Sequence, residues 1–312
     1  MVGICKKFSI LLSNFRTGFQ FITPPSKLSI FRMKSLVLSI ILMLGCAVEA
    51  NAQSDPPELS SWMRNTTGLT GYNSLPANVQ QVRYSTNNVY INASGIPSYS
   101  IGPWPGNPNV PVNKNYVVKF PRTPAQQTST KTATPLGPIG LFSNGVAIFN
   151  SLDANSYNNQ GIWHQNAVVV EASGFDACHG HTAPGGFYHH HQNPLCLYVA
   201  DPANHSPIVG YAFDGFGIYG HLGEDGQDLT NADLDECHGH THLIEWAGQQ
   251  VMMYHYHATW EFPYTVGCFR GTAVQFVSGA GQGGGGPQGQ PGGGFPPPPP
   301  NGGGGFPPPP RP

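Results

Sequence analysis

The histidines of this chain are concentrated in pairs that follow one repeated pattern. The stretch Cys237–Cys268 begins with Cys-His-Gly-His-Thr, continues through Tyr-His-Tyr-His and ends at a second cysteine. A weaker copy, Cys178–Cys196, keeps this order but reads Tyr-His-His-His in the second motif. All 13 histidines lie within residues 164–257. Because the spacers between the motifs differ in length, the pattern indicates a duplicated site and not a long array of repeats.

Strand alternation would collect these histidines into groups. Side chains on a β-strand alternate between its two faces, so His255 and His257 share one face, as do His189 and His191. Two such strands side by side would bring four imidazoles together, because cross-strand neighbours lie about 5 Å apart at Cβ. Zn²⁺ and Cu²⁺ both accept imidazole nitrogen. We therefore expect a transition-metal site.

The Cys-His-Gly-His-Thr segments are expected to supply further ligands, because glycine allows a sharp turn between the two histidines. The candidate metal ligands are the eight histidines at matched positions, namely His179, His181, His189, His191, His238, His240, His255 and His257. Asp214, Asp235 and Glu236 are candidates to orient the imidazoles from behind. The other histidines are interpreted as ordinary core or surface residues: His164, His190, His205, His221 and His242.

Four cysteines follow residue 52, and an even count in an exported protein indicates two disulfides, with three possible connectivities. The repeat favours one bond in each copy, Cys178–Cys196 and Cys237–Cys268. On the chain-entropy model each bond contributes about 3–4 kcal/mol of stability. The competing interpretation is ligation of zinc by the thiolates.

Charge restricts the class of ligand. No lysine or arginine lies between Lys131 and Arg270, whereas thirteen acidic residues do. This composition suits a cation and excludes nucleic acid, whose phosphates require basic side chains. The acidic segment 223–236 lacks the EF-hand spacing, so a solvated loop is favoured over a calcium site. No nucleophile elbow, H-E-x-x-H motif or Walker loop is present, and the pattern therefore names no reaction.

The elements that must position these residues are predicted to be short strands. Apolar runs of strand length, separated by Gly, Pro and Asn breakers, occur at 79–84, 89–91, 116–120, 146–149, 167–170, 195–199, 208–220 and 273–277. No stretch keeps a helical apolar period, although Thr230 is placed to cap one helical turn over 230–236. We predict an all-β or β-rich single domain with two disulfide-clasped, histidine-rich repeats.

Both ends of the chain are expected to lie outside this domain. Residues 33–52 have a signal-peptide pattern, and 1–32 are interpreted as a mis-started upstream segment. The apolar run 36–44 is too short to span a membrane. Lipidation at Cys46 is less favoured, because Leu44 is bulky where lipoproteins carry a small residue. The Gly/Pro-rich segment 279–312 is predicted to be disordered, acting as a spacer or as a tether to the envelope or cell wall.

The second copy also resembles a known family. Tyr254-His255-Tyr256-His257 is the signature of the YHYH family of exported bacterial proteins, and further blocks similar to that family extend over about 140–272. The first copy departs from the signature at His190. The resemblance implies an exported protein but no reaction, because the family is largely uncharacterised. We accordingly predict an N-terminal β region at 53–125 and a YHYH domain at 126–278.

Three functions fit these observations. The favoured one is a secreted, periplasmic or cell-envelope protein that binds zinc or copper through paired histidines. The second is an enzyme, either a metal-dependent hydrolase or a copper oxidoreductase, which would keep an open coordination position. The third is a metal-free adhesion module that uses the aromatic N-terminal region and the Gly/Pro-rich tail.

Overall fold

A computed structural model describes residues 55–153, 164–274 and 276–278, so the predicted leader and tail lie outside the described residues. The described chain is β-rich, as predicted. In chain order its strands are β1 Val79–Tyr84, β2 Asn88–Ala93, β3 Tyr116–Pro121, β4 Thr132–Ala133, β5 Pro138–Phe142, β6 Ala147–Phe149, β7 Gly180–Ala183, β8 Phe187–His190, β9 Ile208–Ala212, β10 Gly217–Tyr219, β11 Gly239–Trp246, β12 Gln249–His257, β13 Cys268–Phe269 and β14 Phe276–Ser278. The helical elements are α1 Pro57–Ser60, α2 Ala167–Val170 and the 3₁₀ turns Tyr72–Ser74 and Ala172–Gly174. No helix within the described ranges is long and apolar enough to cross a membrane.

The strands form a four-stranded sheet of order β1-β2-β3-β14, an eight-stranded sheet and the small pair β13-β4. Residues of β2 and β3 alternate between buried and half-buried positions, so one face of the four-stranded sheet packs on the core. Three aromatic rings join this sheet to the larger one. Trp62 stacks on Tyr211 at 5.1 Å between ring centroids and lies 5.7 Å from Phe120 on β3.

The eight-stranded sheet is internally duplicated. Its order is β11-β12-β10-β9-β5-β6-β8-β7. From the central pair outward, one half is β5-β6-β8-β7 and the other is β9-β10-β12-β11, and the strands correspond in that order. In each half an antiparallel hairpin leads to a parallel pair, β6-β8 or β10-β12, and the edge is a second hairpin. Leu141 pairs with Tyr211 at the centre. The duplication is therefore longer than the histidine pattern indicates, since it begins at β5 and β9.

Glycines make the two halves fit together. A Cβ on Gly140 would lie 2.5 Å from the carbonyl oxygen of Tyr211, and one on Gly210 would lie 2.5 Å from that of Leu141. Such contacts are too short for any side chain, so β5 and β9 approach as closely as their backbones allow.

The disulfides join Cys178 to Cys196 and Cys237 to Cys268. Each bond lies within one copy of the histidine pattern, as the repeat suggested. Because all four sulfur atoms are covalently paired, the alternative of thiolate ligation is wrong for these cysteines.

Two of the predicted strands are wrong. Residues 167–170 form the helical turn α2, capped by the side chain of Asn166, which accepts a hydrogen bond from the Val168 N–H at 3.1 Å. Val169 is 46% exposed, so the run is not buried on all sides. Residues 195–199 form a turn after the histidines, and Val199 is 92% exposed. A short apolar run cannot by itself distinguish a strand from a buried turn of helix or a loop.

Two other segments differ in detail. The predicted strand 208–220 is the hairpin β9-β10, which turns at Gly215 with φ of 92°, a value that glycine adopts without cost. The predicted helical turn at 230–236 is an irregular turn. Asp233 still accepts a hydrogen bond from the Thr230 N–H at 2.9 Å, although no helix follows.

Candidate metal centres

Three imidazoles converge at the end of the first half-sheet, and we call His181, His189 and His191 the first cluster. His181 on β7 pairs with His189 on β8, and His191 directly follows β8. The Nε2 atom of His189 lies 3.0 Å from those of His181 and His191, which are themselves 3.4 Å apart. Ligand atoms around tetrahedral zinc, with bonds of about 2.0–2.1 Å, are separated by about 3.3–3.4 Å. The cluster thus has nearly the dimensions of one face of a coordination tetrahedron.

Backbone carbonyls fix the protonation of two of these rings. His189 Nδ1 donates to the carbonyl oxygen of Phe187 at 3.0 Å, and His191 Nδ1 donates to that of Asn150 at 2.6 Å. A carbonyl oxygen only accepts, so Nδ1 carries the proton and each neutral ring presents a lone pair at Nε2. Lone pairs that face each other at 3.0 Å repel unless a cation lies between them.

A carboxylate also contacts the first cluster. Glu171, which follows α2, places Oε2 3.1 Å from His181 Nε2 and 3.3 Å from His191 Nε2. Burial raises the pKa of Glu171, but the contacts with His181 and His191 outweigh burial and lower it to about 2. Glu171 is therefore charged at neutral pH and lies beside two of the three nitrogens, those of His181 and His191.

The second half-sheet builds a larger group, the second cluster: His205, His240, His242, His255 and His257. Their candidate ligand nitrogens all lie within 4.8 Å of one another. His240 on β11 pairs with His255 on β12, and His240 Nε2 lies 3.1 Å from His257 Nε2. These three correspond to His181, His189 and His191.

Carbonyls orient four rings of the second cluster in the same way. His257 Nδ1 donates to Gly220 O at 2.6 Å and His255 Nδ1 to Met253 O at 3.1 Å. His205 and His242 make the same kind of bond, at 2.8 and 3.0 Å, to the carbonyls of the residues that follow each of them. The Nε2 atoms of His205 and His255 are buried and have no hydrogen-bond partner among the described residues. These orphaned acceptors fit a bound cation.

Burial keeps these imidazoles neutral. It lowers the pKa of His240 to about 4, and burial together with the neighbouring His240 lowers that of His255 to about 2. Burial also lowers the pKa of His181 and holds those of His189 and His257 well below the ordinary value. At neutral pH these five rings are therefore in the form that ligates metal.

Two of the eight predicted ligands lie outside the clusters. His179 and His238 precede β7 and β11 with positive φ, and the chain turns there before the strand begins. His238 Nε2 instead lies 2.8 Å from Thr259 Oγ1. The glycine after each of them starts the strand, so only the second histidine of each Cys-His-Gly-His-Thr segment reaches a cluster.

The predicted pairing of the two H-x-H strands is also wrong. β8 and β12 lie in opposite halves of the sheet, and each pairs with the hairpin partner of its own copy. Two clusters form in place of one, because each H-x-H strand pairs with its own hairpin partner, β7 or β11.

The predicted carboxylates do not orient the cluster imidazoles among the described contacts. Asp214 is buried and accepts hydrogen bonds from Tyr256 Oη at 2.6 Å and the Gly271 N–H at 2.9 Å. Asp235 accepts from the Cys237 N–H at 2.9 Å and pairs with Arg270. Glu236 is mostly exposed and pairs with Lys131. The carbonyl groups have the role that these acids were expected to fill.

Three site residues were missed from the sequence. His242 carries a readable signal, because β11 continues in strand alternation from His240 and puts both on one face. His205 and Glu171 carry none, since each reaches its cluster from a connecting segment. Of the other histidines, His190 faces away, with Nε2 3.2 Å from Tyr99 Oη, and His221 Nδ1 lies 2.5 Å from Asp228 Oδ1.

The fold and clusters define a β-rich, disulfide-linked protein with two histidine groups that are compatible with metal binding. Residues 117–231 match the family model described as YHYH protein, and this match bears out the predicted resemblance to the YHYH family over that segment. The matched segment contains the whole first cluster and ends before the Tyr-His-Tyr-His motif of β12. Neither the curated proteins nor the solved structures include a match to this chain.

Proposed function

We propose that this is a secreted or cell-envelope protein that binds two transition-metal ions, zinc or copper, one at each histidine cluster. The observation that carries the proposal is the convergence of imidazole Nε2 lone pairs whose direction is fixed by carbonyls behind them. A bond from Nδ1 to a backbone carbonyl is the usual support of a metal-ligating histidine. Packing alone gives no reason for several such lone pairs to meet.

Export is supported by two features. The segment 33–52 has the charge, apolar run and small-residue end of a signal peptide. Two disulfides are characteristic of proteins that mature in an oxidising compartment.

Metal content tests the proposal directly. The full chain, exported to the periplasm without a histidine tag, is dialysed and analysed by elemental mass spectrometry together with protein quantification. We expect about two equivalents of zinc or copper per chain, or recovery of two equivalents after stripping and reloading. Protein that neither contains nor takes up metal would overturn the proposal and leave the histidines as a packing device.

A second candidate function is metal-dependent hydrolysis at the first cluster, and a cavity favours it. This cavity of about 280 Å³ is lined by Glu171 and His181 together with segments 105–108 and 173–174. A zinc ion held by three histidines lowers the pKa of a bound water to about 7. Glu171, charged and 25% exposed at its side chain, is placed to accept the proton.

Glu171→Gln separates the two roles of this carboxylate. If Glu171 is a general base, the variant keeps its metal while hydrolysis of a simple ester such as p-nitrophenyl acetate falls. If Glu171 is the fourth ligand, metal affinity falls at the first cluster. Parent protein that holds two metal ions yet hydrolyses no faster than the free ions would reject the hydrolase.

A further inference from the structure

The two clusters share three histidines at matched positions but differ in what surrounds them. In the first copy β7 ends at Ala183, and the matching position on β11 is His242. His205 approaches from the segment before β9 and has no histidine counterpart before β5. The second half has thus added two imidazoles to a three-histidine set, whereas the first half has added the carboxylate of Glu171.

The two added imidazoles, His205 and His242, are oriented in the same way as the other rings of the second cluster. The ring of His242 lies 4.5 Å from those of His240 and His255, and the ring of His205 lies 5.1 Å from that of His257, between centroids. Nδ1 of each added ring is bonded to a carbonyl, so Nε2 is the free nitrogen. His205 Nε2 is buried without a partner among the described residues. Glu224 Oε1 lies 3.2 Å from His242 Nε2, but its side chain is 53% exposed and, among the described ion pairs, it pairs with no other histidine.

The number and type of donors decide which ion each set prefers. Three imidazoles and one carboxylate provide the four ligands of tetrahedral zinc. Five imidazoles exceed that number and suit a tetragonal ion with four nitrogens in a plane and one on the axis, which is the preference of Cu²⁺. We propose that the second cluster is a copper-selective centre completed by His205 and His242, and that the first is a distinct zinc-type centre. This inference rests on the proposed function, since it assumes that both clusters bind metal.

The test uses the full chain with the first cluster disabled by His189→Asn and His191→Asn, so that metal is bound at the second cluster. The probes are Cu²⁺ alone, followed by paramagnetic resonance, and an equal mixture of Cu²⁺ and Zn²⁺, followed by metal analysis after dialysis. We expect one equivalent of copper with four equatorial nitrogens. Because any imidazole site prefers copper to zinc, the informative result is a copper-to-zinc ratio from the mixture that is higher than the ratio at the first cluster.

Adding His205→Ala and His242→Ala should leave one metal equivalent but reduce the equatorial nitrogens. The copper-to-zinc ratio should fall toward that of the first cluster, measured in a chain that carries His240→Asn, His255→Asn and His257→Asn. His242→Ala alone, which restores the residue of the first copy, is the gentler variant if the double change disturbs folding. His164→Asn, at an exposed histidine outside both clusters, is the matched control and should change neither readout.

The outcomes distinguish this inference from the proposed function. An unchanged copper spectrum and an unchanged copper-to-zinc ratio in both His205 and His242 variants would overturn the copper-selective centre while metal binding stands. Absence of metal from the chain with both clusters intact would overturn the proposed function itself. In the reciprocal experiment, Ala183→His should add a nitrogen to copper bound at the first cluster, and a spectrum without that nitrogen would count against the inference.

Discussion

His257 donates its Nδ1 proton to the carbonyl oxygen of Gly220 at 2.6 Å, and this bond joins the end of β12 to the end of the parallel strand β10. His191 makes the same bond, at the same length, to Asn150 at the end of β6. The orientation of each imidazole, and with it the direction of its Nε2 lone pair, is therefore set by a hydrogen bond to the neighbouring strand and not by its own strand. This explains why the duplicated unit includes β5-β6 and β9-β10, which supply no histidine to the three matched positions.

The two clusters should bind metal independently. His189→Asn with His191→Asn is expected to remove one of two metal equivalents, and His255→Asn with His257→Asn to remove the other, because the halves share no cluster residue. Elemental analysis of the dialysed proteins measures both. A pair of changes in one half that removes both equivalents would mean a single shared centre. His164→Asn serves as the control for the loss of a histidine outside the clusters.

The tyrosines of the Tyr-His-Tyr-His motif should matter for stability and not for metal. Tyr256 Oη donates to the buried carboxylate of Asp214 at 2.6 Å, on the face opposite the histidines. Burial raises the pKa of Asp214 to about 6, so at pH 8 this carboxylate is charged and depends on its donors. Tyr256→Phe should cost about 1.5–3 kcal/mol at pH 8, the usual contribution of a hydrogen bond to a charged group.

Urea denaturation at pH 8 measures that cost, and metal content is measured on the same sample. Tyr90→Phe, on the half-buried side of β2 in the other sheet, is the control for loss of a tyrosine hydroxyl. Loss of metal from a folded Tyr256→Phe protein would show that the tyrosine acts on the cluster and would contradict the division of roles between the two faces.

The disulfides should stabilise the chain through its unfolded state. The loops they close have sequence separations of 18 and 31 residues. The chain-entropy relation gives about 3 kcal/mol for the shorter loop and nearly 4 kcal/mol for the longer one. We expect Cys237→Ser with Cys268→Ser to cost slightly more than Cys178→Ser with Cys196→Ser in urea denaturation of metal-free protein. Equal midpoints for both variants and the parent would show that the loops are already restrained when unfolded.

The metal-free protein should lose stability as the pH falls through the ordinary range of histidine. Histidines of the unfolded chain take up protons near pH 6.5, whereas burial lowers the pKa of His238 and His240 to about 4 in the folded state. Between about pH 6.5 and 4 the unfolded state binds more protons, so the free energy of unfolding decreases as the pH decreases. Asp214, whose pKa is raised in the folded state, makes the free energy of unfolding increase as the pH falls. Its effect is smaller than the combined effect of the several buried histidines.

Thermal unfolding of the metal-free protein from pH 8 to 5 measures how stability depends on pH. This range lies above the pH at which most carboxylates take up protons. His240→Asn should make the curve flatter, because one of the buried bases is then absent. A melting temperature that stays constant or rises from pH 7 to 5 would contradict the neutral, buried state of the clusters.

Much of the candidate site could be predicted from residue types and their spacing. The paired motifs predicted which residue type would bind, and strand alternation correctly put His189 with His191 and His255 with His257 on shared faces. Strand alternation would also have placed His242 on the same face as His240. It was not applied there, because Gly239 suggested a turn and not the start of a strand. The one-per-copy disulfides and the β-rich class follow from spacing and composition, both of which are local properties of the chain.

The number of histidine clusters and the residues that surround each of them could not be predicted from the sequence. Strand order separates β8 from β12, and no local pattern encodes which strands become neighbours in a sheet. Glu171 and His205 reach the clusters from connecting segments, where side-chain direction depends on the path of the chain and not on periodicity. The carbonyls that orient the imidazoles are present in every residue, so their role becomes visible only when Asn150 and Gly220 are seen to lie behind His191 and His257.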